Sequence, residues 1–212
     1  MKERRYTVLL ADRSGSLSKL ARPLFSSRDL IEVGAGGTFA SLLEDIRRCK
    51  PDVVVLDLSG SEEALSTIEA VMAERPTPIL ALHAKNERRV DPFRALALGA
   101  LDIAELPAEP ASSFWLELGK KLCLLAQVRV VQHVRGKKKQ RAARAYGEPP
   151  FPLVAIAASL GGPKALSVFL KELPADFPAP ICICQHITDG FTGGLAQWLA
   201  AETSLRVVEA SD

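Results

Sequence analysis

Val53-Val54-Val55-Leu56-Asp57 decides how the first part of this chain folds. An uninterrupted, mostly β-branched apolar run reads as a strand covered on both faces, since a half-exposed strand would alternate apolar with polar residues. The same grammar recurs on either side, and it predicts strands over 7–11, 30–33, 79–83 and 102–105 as well as 53–57. Between them Phe39, Leu42, Leu43 and Ile46 fall at helical spacing behind a Thr38 cap. Leu65, Ile68 and Val71 do so behind Ser61. Phe114, Leu118, Leu122 and Leu125 give a closing amphipathic helix. A first helix is expected over 16–26, kinked or shortened by Pro23. Strand and helix alternate five times, so residues 1–130 are an α/β domain with a five-stranded parallel sheet.

Beyond it the composition changes. Residues 131–150 carry Arg135, Lys137, Lys138, Lys139, Arg141 and Arg144 against the single acid Glu148, and end in Gly147-Glu148-Pro149-Pro150. That is a basic linker. A nucleic-acid arm ranks below a solvated connector, because only Tyr146 interleaves with the charges. From residue 151 the alternation restarts. A strand is expected over 153–158, a helix over 163–173 with Ala165, Leu166, Phe169 and Leu170 on one side, and a strand over 181–185. A helix around Leu195, Trp198 and Leu199 follows, then the start of a third strand over 205–209. Residues 151–212 thus read as a truncated, Rossmann-like βαβα segment.

The whole chain has 212 residues, 48% of them hydrophobic and 25% charged, which excludes a disordered or collagen-like polymer. Its formal net charge of +2 gives no general reason to expect a nucleic-acid partner. The longest apolar runs are strand-sized, so no membrane insertion is expected. The N-terminus has too short an apolar core for a secretory signal, which implies a cytoplasmic address. Cys49, Cys123, Cys182 and Cys184 match neither a disulfide framework nor the spacing of zinc sites, and read as buried small hydrophobes. Gly34, Gly36 and Gly37 resemble a dinucleotide fingerprint, but Phe39 stands where the third glycine belongs, and they read as a turn.

Ala157-Ala158-Ser159-Leu160-Gly161-Gly162-Pro163 places a serine where a strand must turn sharply into a helix. The glycines allow the turn, and the amides opening the helix point toward the position where an oxyanion would develop. The nearest general pattern is the nucleophile elbow, with Ala157 in place of its first glycine. A capping serine with a tightly packed glycine pair is the plainer alternative. Cys184-Gln185-His186 argues against it. Neighbouring parallel strands bring their C-terminal ends together, so Ser159 and His186 should meet as nucleophile and base.

With Ala158-Ser159-Leu160-Gly161-Gly162-Pro163-Lys164-Ala165-Leu166, Gln185-His186-Ile187 and Gly190-Phe191-Thr192 in view, the chain resembles the chemotaxis protein-glutamate methylesterases, the CheB family, in which a receiver domain and a linker precede the esterase. The resemblance implies that Ser159 is the nucleophile, His186 the base, and the backbone at Leu160 and Gly161 the oxyanion donors. It implies hydrolysis of glutamyl methyl esters on chemoreceptor cytoplasmic helices, with a related deamidation of receptor glutamines and no cofactor in the esterase step. A chemotaxis histidine kinase is a second partner it implies. The family's triad aspartate lies further along than residue 212. Asp189 does not match its motif, so the chain is expected to be an inactive piece of a longer enzyme. Losing the aspartate alone costs on the order of 10⁴ in turnover in serine proteases.

The first domain resembles the response-regulator receiver, whose flavodoxin-like sheet carries its site at the strands' C-terminal ends. Asp57 matches the phosphoacceptor, and Asp12 with Asp57 would hold a metal ion. Arg13 replaces a second expected acid, His83 a serine or threonine, and Leu106 a lysine. These replacements argue against Mg²⁺ and against phosphorylation, and the Arg13 guanidinium is expected to occupy the cation's place beside Asp57. The competing function is therefore a non-catalytic regulatory interaction module with a degenerate receiver.

Overall fold

The computed structural model describes residues 5–14, 17, 19–21, 31–33, 37–59, 61–84, 90–130, 153–188 and 190–210. The chain divides into two compact units, Met1–Gln132 and His133–Asp212. The basic stretch 131–150 lies outside the described residues, as do Gly34 and Gly36 and most of the expected first helix.

The first unit is a parallel sheet in the order β2-β1-β3-β4-β5, from β1 (Tyr6–Ala11), β2 (Ile31–Val33), β3 (Val53–Asp57), β4 (Ile79–Ala84) and β5 (Asp102–Leu106). This is the doubly wound, flavodoxin-like order, in which ligand sites gather at the C-terminal ends of the strands. Val8 to Ala11, Val53 to Leu56 and Ile79 to Leu82 are fully buried, and helices over both faces account for the unbroken apolar runs. A helical turn at residues 17 and 19–21 (α1) follows β1. After it come α2 (Phe39–Cys49), α3 (Glu62–Glu74), α4 (Phe93–Leu98) and α5 (Ser112–Leu125). Phe39, Leu42 and Ile46 of α2 and Leu65, Ile68 and Val71 of α3 are buried as their spacing predicts. Thr38 and Ser61 do occupy the N-cap positions, but neither makes a side-chain cap bond. In α5 the buried aromatic is Trp115, with Phe114 half-buried against it, ring edge to face at 5.2 Å. The sequence pattern had pointed to Phe114.

The second unit has β6 (Val154–Ala158), α6 (Gly162–Lys171), β7 (Ile181–Gln185) and α7 (Thr192–Glu202). β6 and β7 pair in parallel, with Ala158 opposite Gln185. Helices α6 and α7 bury Leu166, Leu170, Leu195, Trp198 and Leu199. Only one face of this strand pair is covered among the described residues, so burial alternates along both strands. Cys182 and Cys184 consequently lie exposed, and Cys49 and Cys123 half-buried, which corrects the expectation of four buried thiols. Ala165 and Phe169 also depart from their predicted places: both are exposed, Phe169 at 42% beside Val168, whereas Leu166 and Leu170 face inward.

The expected strand over 205–209 is not formed. Residues 206–210 are irregular, because a strand exists only through a paired neighbour and none of the described residues pairs with this stretch. Leu205 and Val207 instead line a groove of about 530 Å³ together with Ile181, Ile183, Leu195 and Leu199. Behind β7, Lys171 is ion-paired to Glu202, which also accepts a hydrogen bond from the Ser167 hydroxyl at 3.1 Å. Burial pushes the Glu202 carboxyl up, but the hydrogen bond and charge of Lys171 outweigh it and, with Ser167, hold the group below its ordinary range. Burial, and secondarily the charge of Lys171, pulls the neighbouring Lys164 ammonium below its usual value. No helix among the described residues is long and apolar enough to cross a membrane.

Candidate active site

The parallel register of β6 and β7 carries one residue further: past Ala158 and Gln185 come Ser159 and His186. The His186 amide donates to the Ala158 carbonyl at 2.9 Å, which continues the ladder and anchors the histidine beside the serine. Ser159 Oγ lies 3.3 Å from His186 Nδ1. Both residues are exposed. With the ring proton on Nε2, Nδ1 offers a lone pair to the serine hydroxyl, the arrangement a general base requires.

The two glycines after Ser159 do different work. Gly161 has φ 68°, a left-handed conformation that lets the strand reverse into α6. Gly162 is needed for room: a Cβ there would lie 1.9 Å from Gln185 Oε1. Its amide donates to the Ser159 carbonyl at 2.8 Å and closes the turn. The Leu160 and Gly161 amides have no acceptor among the described residues.

Gln185, next to His186 in the sequence, has a part in the site that the sequence alone does not announce. Its Nε2 donates at 2.8 Å to the Ser159 carbonyl and at 2.8 Å to the His186 carbonyl. The signal was present in the sequence as a glutamine adjoining the histidine and a glycine adjoining the turn, but only the fold brings the two together. Among the described residues no carboxylate contacts the His186 ring. Asp189 lies outside them.

In the first unit the pairing of Ala11 with Leu56 sets Asp12 next to Asp57 at the C-terminal rim. Each is held by its own loop. Asp57 Oδ1 accepts from the Ser59 amide at 2.9 Å and from the Ser59 hydroxyl. Asp12 is buried, and its Oδ2 accepts from the Ser14 hydroxyl and the Leu17 amide, both at 3.1 Å. Arg13 is exposed and makes no ion pair with Asp57 among the described residues, so the expected guanidinium substitution is not what holds that carboxylate. Ser59, two residues on, reaches it first. His83, where receivers carry a hydroxyl, is buried, and Leu106 ends β5. Magnesium asks for near-octahedral oxygen coordination. One oxygen of each acid is engaged by its own loop, and no cluster of three or more metal-ligating side chains occurs among the described residues to complete such a shell.

Residues 154–212 match the family model described as CheB methylesterase. The chain is 50% identical over 207 residues to the protein-glutamate methylesterase FrzG of Myxococcus xanthus, an alignment covering 97% of this chain and 61% of that protein. It is 43% identical over 214 residues to a protein-glutamate methylesterase/protein-glutamine glutaminase of Anaeromyxobacter dehalogenans, covering 98% and 62%. The chain thus spans about 61% of the length of these relatives. Among solved structures, the chemotaxis response regulator CheY4 of Vibrio cholerae is similar to 56% of this chain over 98% of its own, at 18% identity and a TM-score of 0.45. Residues 154–212 thus match the CheB methylesterase family, and the chain is similar along nearly its entire length to protein-glutamate methylesterases.

Proposed function

We propose that the protein is a serine esterase that hydrolyses glutamyl methyl esters on the cytoplasmic helices of chemoreceptors, and deamidates receptor glutamines at the same site. The observation that carries this reading is the 3.3 Å contact between the Ser159 hydroxyl and His186 Nδ1 at the rim of β6 and β7. Ser159 Oγ attacks the ester carbonyl as its proton passes to His186 Nδ1. The carbonyl oxygen becomes an oxyanion held by the Leu160 and Gly161 amides. The tetrahedral intermediate collapses, the C–OCH₃ bond breaks, and His186 returns the proton to the leaving methoxide as methanol. Water then attacks the acyl-enzyme, giving its proton to His186, and glutamate is released with Ser159 regenerated. No cofactor enters any step. Cytoplasmic location and an association with a chemotaxis histidine kinase belong to the same reading.

The receiver-type unit is degenerate in this proposal. Arg13, His83 and Leu106 stand at three positions where receivers use an acid, a hydroxyl and a lysine, so control runs through protein binding rather than through a phosphoryl group on Asp57. A second reading, a regulatory interaction module without turnover, is favoured by one observation: His186 has no orienting carboxylate among the described residues. Methanol release from methylated receptor, measured on the protein at the full length of its relatives, decides between them. The esterase reading expects release that falls at least about 10³-fold in Ser159→Ala and His186→Gln. Release that is absent, or equal in all three proteins, supports the binding module.

A further inference from the structure

We propose that Gln185 is the positioning residue of this site, a single amide that sets the nucleophile and the base in register; the inference rests on the esterase reading of Ser159 and His186. The amide nitrogen of a glutamine carries two hydrogens and no more. Here one goes to the Ser159 carbonyl and the other to the His186 carbonyl, each at 2.8 Å. The two acceptors are the two residues whose side chains meet, one at the end of each strand. Both lie one residue past the last ladder pair of the sheet, where a single further bond, from the His186 amide to the Ala158 carbonyl, is the last to join the two strands. The reversed amide would set Oε1 against two carbonyl oxygens, so the hydrogen-bond pattern itself dictates the orientation.

The fold gives up something to keep this arrangement. Gln185 Oε1 is buried with no hydrogen-bond partner among the described residues. It also occupies the space that a side chain at position 162 would fill. A buried acceptor left unpaired costs stability, and such groups in native proteins call for a functional explanation. Holding two carbonyls across the nucleophile–base gap supplies one. Reacting groups need placement to within a fraction of an ångström, and a misplacement of about 1 Å costs about 10²-fold in rate.

The test uses the full chain, isotopically labelled, with ring signals assigned among its three histidines by His186→Gln. In the otherwise native protein, Ser159→Ala should move the His186 ring nitrogen shifts, because the two side chains touch. In Gln185→Ala and in Gln185→Glu that response should disappear. The glutamate variant keeps the size of the side chain but, once ionised, offers no N–H, so a purely space-filling role would leave the response intact. Labelling of Ser159 by a fluorophosphonate is the second readout. It should slow by about 10²-fold in both variants, with its pH profile no longer following His186. A His186 response to Ser159→Ala that survives in Gln185→Glu overturns the inference, whatever the labelling rate. If the response is lost but the native chain's Ser159 is never labelled, the positioning role stands and the esterase reading fails.

Discussion

Replacing each glycine of the Ser159 turn with alanine separates two physical effects that the sequence cannot tell apart. Gly161→Ala meets nothing within 4 Å, but it forces a β-carbon into φ 68°. The left-handed region costs an L-residue roughly 1–2 kcal/mol, slightly relieved by the stiffer unfolded chain. Gly162→Ala has no such backbone penalty, and in the first helical turn alanine would ordinarily be the better residue. Its Cβ, however, would sit 1.9 Å from Gln185 Oε1 and 2.8 Å from Gln185 Cδ. The glutamine must swing away, giving up two hydrogen bonds at about 0.5–1.5 kcal/mol each, so the net loss is about 1–2 kcal/mol. In a Gln185→Ala background that clash no longer exists. Gly162→Ala should then be close to neutral, needing only a shift of a few tenths of an ångström from Ala158 Cβ at 3.0 Å, while Gly161→Ala should cost the same as before. The assay is a double-mutant cycle read from hydrogen-exchange protection of β6 and β7 amides. A Gly162→Ala penalty that is additive with Gln185→Ala to within about 0.5 kcal/mol refutes the reasoning.

Incubating the chain with Mg²⁺ and acetyl phosphate should leave Asp57 unmodified by intact mass, and a stable aspartyl-phosphate would contradict the degenerate receiver. The Glu202 carboxyl is held below its ordinary range, so its stabilisation is fully present above the unfolded value of about 4.3 and is lost as the pH falls through the folded one. Exchange protection of α6 and α7 should therefore be flat above about pH 5 and decline in acid, and Glu202→Gln should abolish that decline; an unchanged acid limb in the variant would assign it to other groups. Cys182 and Cys184, exposed on β7, should react with a maleimide before Cys123, whose thiol burial pushes upward. Peptide mapping that finds Cys123 modified first would mean the open face of β6 and β7 is covered in solution.

How much of this was legible in the sequence depended on how local the determining physics was. The uninterrupted run Val53 to Leu56 announced a strand buried on both sides, and β3 has the predicted bounds. Helix α4 was not assigned to any residues, because six residues carry too little periodicity to stand out. Cys182 and Cys184 were misjudged for a different reason. A cysteine in an apolar run looks buried, yet Ala155, Ala157, Cys182 and Cys184 share the face of a strand pair that no described element covers. Burial there depends on what packs against the sheet, which the run itself does not encode. The meeting of Ser159 with His186 could be deduced from parallel topology alone. The bridge from Gln185 could not, since it depends on a side-chain rotamer and on an empty volume at Gly162. The Arg13–Asp57 pair failed on the same ground: Ser59 satisfies Asp57 from two residues away, at far less entropic cost than an ordered arginine.

Hydrogen-bond accounting also shows why the two rims differ in chemical capacity, although both units put their polar residues at the C-terminal ends of parallel strands. In the first unit Asp12 and Asp57 each accept bonds from the loop that follows their own strand, so what is conspicuous in sequence is spent on closing turns. At the rim of β6 and β7 the expenditure is reversed. Backbone carbonyls absorb the structural bonds, from Gly162, His186 and Gln185, and the Ser159 hydroxyl is left facing the imidazole with two amides open beside it. A site keeps reactive side chains available when its main chain and a neighbouring amide satisfy each other. Where a reactive group is itself the cap of a turn, chemistry must first break that cap. By this criterion Ser159 and His186 are the side chains left available for the covalent step that the proposed esterase requires.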